Sequence, residues 1–170
     1  MTEPETKPQE SVWDYPRPPD IVPSGETVQI FLADQRIAFS QRTLRVRETS
    51  HPPTYYVPIA DFAPGALVPV GGTTYCEFKG VAKYFDVVAE PTAPDREVPV
   101  VVAPRAAWHY PKATGRFAAL LDHVAVMPAA FDRCVVDDEI VVPQEGSFYG
   151  GWITSRVRGP FKGGPGTLGW

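Results

Sequence analysis

Short apolar runs, broken every few residues by proline or glycine, set the rhythm of this chain. Thr43–Arg47 alternates polar and apolar residues with period two, which predicts a half-buried strand. Thr27–Leu32 reads as another strand and Arg36–Phe39 as its return, with a turn at Asp34-Gln35. Thr74–Lys79 and Val81–Val88 read as two strands about Gly80. Val98–Ala103, Arg105–Tyr110, His123–Met127 and Cys134–Val136 are further strands by the same signal. Ile140–Val142 follows the acidic turn Asp137-Asp138-Glu139 and closes a hairpin. One helix is predicted, over Ala113–Asp122, where Phe117, Leu120 and Leu121 recur at helical spacing.

Proline strengthens this picture. It occupies 20 of 170 positions, and each one removes a backbone donor and fixes φ, so the chain cannot carry many long helices. The expectation is a mainly β, antiparallel fold with one short helix and long ordered loops. Residues 1–10 are polar and patternless and predict a disordered lead. A single β-rich domain is expected over 11–170. It opens on an extended arm, Ser11–Pro19, pinned by Trp13 and Tyr15. It closes on a glycine- and aromatic-rich tail, 146–170, held by Trp152, Phe161 and Trp170, which are costly to leave in water.

Charge narrows the function classes. The net charge of -4 gives no case for a nucleic-acid surface, which needs clustered Lys and Arg. No apolar run is long enough to span a bilayer. The first ten residues lack the basic start and apolar core of a signal peptide. With only Cys76 and Cys134, the expectation is free thiols and a cytoplasmic protein. Gly164–Gly169 has the letters of a dinucleotide fingerprint, but no helix follows to meet a pyrophosphate. There is no CxxC or HExxH, and Asp137-Asp138-Glu139 fits a solvated turn better than an ion site, so no metal is expected.

Three constellations carry candidate chemistry. The first is Glu48, Thr49, Ser50, His51, Tyr55 and Tyr56 around the rigid Pro52-Pro53 pair. His51 is the general acid or base in that set, with Glu48 beside it. The second is Cys76–Lys79. On a strand, Cys76 and Phe78 share the core face, while Glu77 and Lys79 share the other. Glu77 and Lys79 then form either a surface ion pair or the charged wall of a pocket, and Tyr84 follows on the next strand. The third is aromatic: Trp108, Tyr110, Phe148, Tyr149 and Trp152, either packed or assembled into a cage for a ring or a cation. Lys162, set in Gly-Pro-Phe-Lys-Gly-Gly, is a candidate anion contact.

ESVWDYPRPP (10–19), ETSHPPTYY (48–56), CEFKG (76–80), AAWHYP (106–111) and the tail from Phe148 to Trp170 together resemble the domain-of-unknown-function 427 family, in its order. The family more often has Trp where Phe78 stands and a DGE turn where this chain has Asp137-Asp138-Glu139. The resemblance implies a small antiparallel fold of the β-tent kind. Zinc-binding relatives of that fold use paired CxxC motifs, which this chain lacks. Some names for the family also carry a nucleotidyltransferase label.

The resulting expectation is a small-molecule pocket, with a nucleotide as one candidate ligand, built by the 48–56 loop and the 76–84 strands. Glu48, His51 and Lys79 are its candidate catalytic residues. Thr49, Tyr55, Tyr56, Glu77, Tyr84, Trp108, Tyr110, Tyr149, Trp152 and Lys162 are its candidate ligand contacts. A non-catalytic aromatic cage and a structural homodimer are the competing readings; no nucleic acid or membrane partner is expected, and no cofactor is identified.

Overall fold

The computed structural model describes residues 7–90, 100–146 and 148–170. The chain opens with β1 (Glu10–Ser11), β2 (Asp20–Pro23), β3 (Val28–Leu32), β4 (Gln35–Ser40) and β5 (Leu44–Arg47). β6 (Thr54–Pro58), β7 (Leu67–Cys76), β8 (Gly80–Ala89), β9 (Val101–His109) and β10 (His123–Val126) follow. β11 (Arg133–Val136), β12 (Glu139–Ile140), β13 (Val142–Pro143), β14 (Trp152–Ile153) and β15 (Val157–Arg158) complete it. Seven strands form one sheet in the order β2-β5-β6-β10-β9-β8-β7. Four form a second, β12-β11-β3-β4. Every neighbouring pair in both is antiparallel, so the fold is mainly β as the pattern predicts.

Strand alternation sorts the side chains. Tyr55, Val57, Phe85, Val87, Ala107, Val124 and Val126 turn one way and meet Val28, Ile30, Cys134 and Val136 of the smaller sheet. Burying each large apolar side chain in this shared core stabilises the fold by about 1.5–3 kcal/mol. Burial also pushes the Cys134 thiol up to about 12, so it is an inert core residue. The intervening residues Tyr56, Tyr84, Trp108 and Ala125 turn the other way and gather with Ala82, Tyr110, Phe117 and Leu120. The candidate site lies on this second face.

Local chemistry corrects several boundaries. The strand predicted over Thr74–Lys79 stops at Cys76, and Glu77, Phe78 and Lys79 make the hairpin turn into β8. Gly80, at φ +94°, supplies the left-handed backbone the turn needs. Face sharing by Glu77 and Lys79 therefore lapses. The helix predicted over Ala113–Asp122 is a 3-10 segment, Gly115–Leu120. Thr114 gives it no side-chain cap, and Gly115 at φ +59° opens it outside helical geometry. The strands predicted over 98–103 and 105–110 are one strand, β9, starting at Val101; residues 98 and 99 lie outside the described residues. Asp137 and Asp138, at φ +46° and +66°, make the predicted hairpin turn, but β12 is only two residues long.

The lead predicted as disordered over 1–10 lies outside the described residues up to residue 6. From Lys7 it is tied down. The Lys7 ammonium donates to the Gly25 carbonyl at 2.6 Å, and β1 pairs with β15. The polar pattern hid this because the anchor is Glu10, a carboxylate that meets a buried arginine. The arm packs through Tyr15, which is buried, while the Trp13 indole donates to the Pro160 carbonyl at 2.8 Å. Among the described residues no helix is long and apolar enough to cross a membrane.

Candidate functional site

The β5–β6 hairpin carries the first group of candidates. Its loop turns at Glu48–His51, where the His51 amide donates to the Glu48 carbonyl at 3.0 Å. Ser50, the third residue of that turn, sits at φ +71°, a position that normally recruits glycine. Both ends of the chain hold it there. The Ser50 amide donates to the Val12 carbonyl, and the Lys162 amide donates to the Ser50 carbonyl. The Thr49 hydroxyl donates to the Tyr15 carbonyl at 2.6 Å, so Thr49 secures the arm.

His51 is oriented by this turn. Its Nδ1 lies 2.9 Å from the Thr49 carbonyl and 3.4 Å from Glu48 Oε2. A carbonyl only accepts, so Nδ1 donates, and the lone pair of the neutral ring resides on Nε2. Burial holds the imidazole below its ordinary range, against the opposing pull of the Thr49 carbonyl and Glu48, with Lys162 and Arg17 adding to the lowering. Glu48 is also held by Arg17 at 3.5 Å.

The second wall comes from the larger sheet. Tyr84 on β8 and Trp108 on β9 are direct cross-strand partners. Tyr110 continues from β9, and burial raises its phenol well above the usual range, so it stays protonated. Lys79, at the β7–β8 turn, places its ammonium 5.4 Å from the Tyr110 ring centre. Arg105 places its guanidinium 4.4 Å from the Tyr84 ring centre. Arg105 sits at a bulge in β9, at φ +50°, where its amide donates to Asp86.

The tail builds the third wall. Gly150 lies so close to Trp108 that a Cβ there meets Cη2 at 2.5 Å. A Cβ on Gly151 meets Pro52 Cγ at 2.6 Å. Only glycine at both positions lets the tail lie against both other walls. The tail thereby sets Tyr149 edge-on to His51, with ring centres 5.4 Å apart.

Together these walls enclose an open cleft of about 650 Å³. Glu48, His51 and Lys79 line it, as do Tyr84, Trp108, Tyr110 and Tyr149. The other candidates do not. Tyr55 falls on the core side of β6, where it stacks on Trp152 at 4.8 Å and donates to Glu26. Trp152 is fully buried there. Tyr56 points toward the cleft face but is covered completely. Glu77 is exposed in the turn, away from the lining. Lys162 stands 5.8 Å from Tyr149 and donates to the Trp170 carbonyl instead. Sequence reasoning did not single out Arg105, Thr74, Tyr75 or Met127, which also line the cleft. For Arg105 a signal existed: Pro104-Arg105 interrupts an apolar strand, as a bulge does. Tyr75 and Phe148 stand at the mouth, 75% and 84% exposed. Among the described residues, no three His, Cys, Asp or Glu side chains gather closely enough to hold a metal ion.

Residues 20–137 match the family described as "Domain of unknown function (DUF427)". The chain belongs to this family. No curated protein matches it. The matched region includes the β5–β6 loop, the β7–β8 hairpin and β9, whereas Phe148, Tyr149 and the Gly150-Gly151 pair lie beyond it. Membership in a DUF427 family carries the fold; the cleft must be read from its own chemistry.

Proposed function

We propose that this DUF427 protein binds a small molecule in the cleft, with His51 as the group that exchanges a proton with it. One observation carries the reading. A neutral imidazole, its Nδ1 committed to the Thr49 carbonyl, opens onto an aromatic-walled cleft of about 650 Å³. That volume lies within the usual span of small-ligand sites, roughly 300–1,000 Å³. Its mixture of rings and a few polar groups is the usual lining of such sites. The strained, buried turn at Ser50 supports it too, since backbone strain concentrates where a side chain must be held in place. A cage for a cationic ligand is disfavoured, because Lys79 and Arg105 already stand over Tyr110 and Tyr84.

A fragment library screened by ligand-observed NMR tests this. Hits are expected to lose at least tenfold in affinity on Trp108→Ala, and to slow the modification of His51 by diethyl pyrocarbonate in the wild-type protein. Hits that bind Trp108→Ala as well as wild type, or that leave His51 equally reactive, would place their site elsewhere and overturn the reading.

A further inference from the structure

The cleft is electrically unlike the chain that carries it. The chain has a net charge of -4, yet the cleft lining contains two cations, Lys79 and Arg105, and a single carboxylate, Glu48. Glu48 is already engaged, by Arg17 at 3.5 Å and by His51 at 3.4 Å. Among the described residues neither Lys79 nor Arg105 is within salt-bridge distance of a carboxylate. Each lies over a tyrosine ring, a contact that orients the cation without neutralising it.

Arg105 is placed with particular care. β7 shifts register between Val70 and Thr73, and Gly71-Gly72 fills the step. The Gly71 carbonyl accepts from Arg105 Nη1, and a Cβ on Gly72 would stand 3.1 Å from that nitrogen. Gly72 itself sits at φ +93°. Two irregularities, one in β7 and one in β9, therefore converge to hold one guanidinium over Tyr84, 4.4 Å from its ring centre. Its Nε and Nη2 donate to no protein acceptor among the described residues. A guanidinium fixed in this way offers a planar pair of donors suited to a carboxylate or a phosphate. Next to it, Trp108, the cross-strand partner of Tyr84, lines the cleft, with Tyr149 on the opposing tail.

Resting on the cleft as a ligand site, we propose that its ligand is an organic anion bearing a planar aromatic or heteroaromatic ring. The ring lies against Trp108 and Tyr149, and the carboxylate or phosphate is met by Arg105 and Lys79. A neutral ring compound keeps the stacking and loses the ion contact. An aliphatic anion keeps the ion contact and loses the stacking.

Isothermal titration on the full chain separates these parts. The probes are indole-3-acetate against its neutral amide, and adenosine 5′-monophosphate against adenosine. At least one anion is expected to bind tenfold or more tighter than its neutral partner, and which one does so distinguishes a carboxylate from a phosphate ligand. Arg105→Gln and Lys79→Gln are each expected to shrink that preference several-fold while leaving the neutral partner's affinity unchanged. Unchanged melting temperatures would confirm that both variants fold, and Lys79→Gln keeps the test open should Arg105→Gln disturb its bulge. The preference should also weaken as salt is raised, because both cations are reached by solvent. Equal affinity for charged and neutral partners overturns the anion proposal but leaves a ring-binding cleft. A charge preference that survives both substitutions also overturns it. No binding of any of the four compounds overturns the proposal and the cleft reading together.

Discussion

Two sets of cations in this molecule live under opposite rules. In the knot beneath the arm, Arg45 is fully buried and donates to Glu10 at 2.7 Å and to the Tyr15 hydroxyl at 3.2 Å. Tyr15 donates to Glu10 in turn, and Arg156 donates to Glu26 at 2.8 Å, beside the Tyr55 hydroxyl. In the cleft, Arg105 is exposed, and its guanidinium lies over a tyrosine ring and meets no carboxylate among the described residues. The knot joins the arm, β5 and the β2–β3 connection to the tail, more than a hundred residues further along the chain. Its charges are consumed in holding those segments together. The cleft's two cations, Arg105 at its bulge and Lys79 at its turn, are left unpaired by any carboxylate among the described residues. Paired, buried charge here marks architecture, and oriented, unpaired charge marks a place for something from outside.

Arg45→Ala breaks the comparison most directly. Removing one partner of a buried ion pair leaves the other uncompensated, which costs about 3–5 kcal/mol. At roughly 2–4 °C per kcal/mol for a chain of this size, the melting temperature should fall by about 6–20 °C. Lys79→Ala, in the cleft, should cost no more than about 0.5–1 kcal/mol. Calorimetric melts of the two variants decide the matter; losses of equal size would mean that the knot is not the structural element proposed.

Acid sharpens the same contrast. Burial alone would raise the Glu10 carboxyl, but its hydrogen bonds from Arg45 and Tyr15 and the charges of Arg45 and Arg156 prevail and hold it at about 2, below its ordinary 4.5. A folded-state pKa below the unfolded one contributes stability that is fully present above pH 4.5 and lost as pH falls towards about 2. The full shift is worth about 3 kcal/mol, which solvent reaching this partly exposed carboxylate screens to about 1–2 kcal/mol. Urea titrations of wild type and Glu10→Gln should therefore differ most above pH 4.5, and the gap should narrow steadily on acidification. A gap that stays constant down to pH 2 would show that Glu10 is not the titrating group.

The mainly β, antiparallel fold was legible because alternation is a local signal; the same period of two sends adjacent Tyr55 and Tyr56 to opposite faces, one to the shared core and the other to the cleft side. Choosing both as ligand contacts overlooked that constraint. The knot was not legible, because nothing near Glu10 announces Arg45, and nothing near Glu26 announces Arg156. Trp152 misled for a related reason. Its glycine-rich surroundings resemble those of Tyr149, and only the long-range pairing of β13 with β14 determines that Trp152 turns inward onto Tyr55. Glu77 and Lys79 came apart because the turn at 77–79 replaced the last three strand positions of the predicted Thr74–Lys79 strand. The loop at 48–53 was readable as rigid from its prolines. The tail contacts that complete its side of the cleft depend on glycines whose purpose is visible only against Trp108 and Pro52.

Gly150→Ala tests that last dependence, with an expected effect on stability well below that of Arg45→Ala. The added methyl meets the Trp108 ring at 2.5 Å, well inside contact distance, and Met127 Sδ at 3.5 Å. Unlike the knot, this contact borders open space, so Trp108 can yield into the cleft rather than force the core apart. The cost should be about 1 kcal/mol, at the low end for overpacking. The consequence for the cleft should be larger than the consequence for the fold. Trp108 emission should shift, as judged against Trp108→Phe, and binding of the ring compounds should fall well before the melting temperature does. A variant that melts lower yet binds unchanged would place the tail outside the site and make Gly150 a packing residue alone.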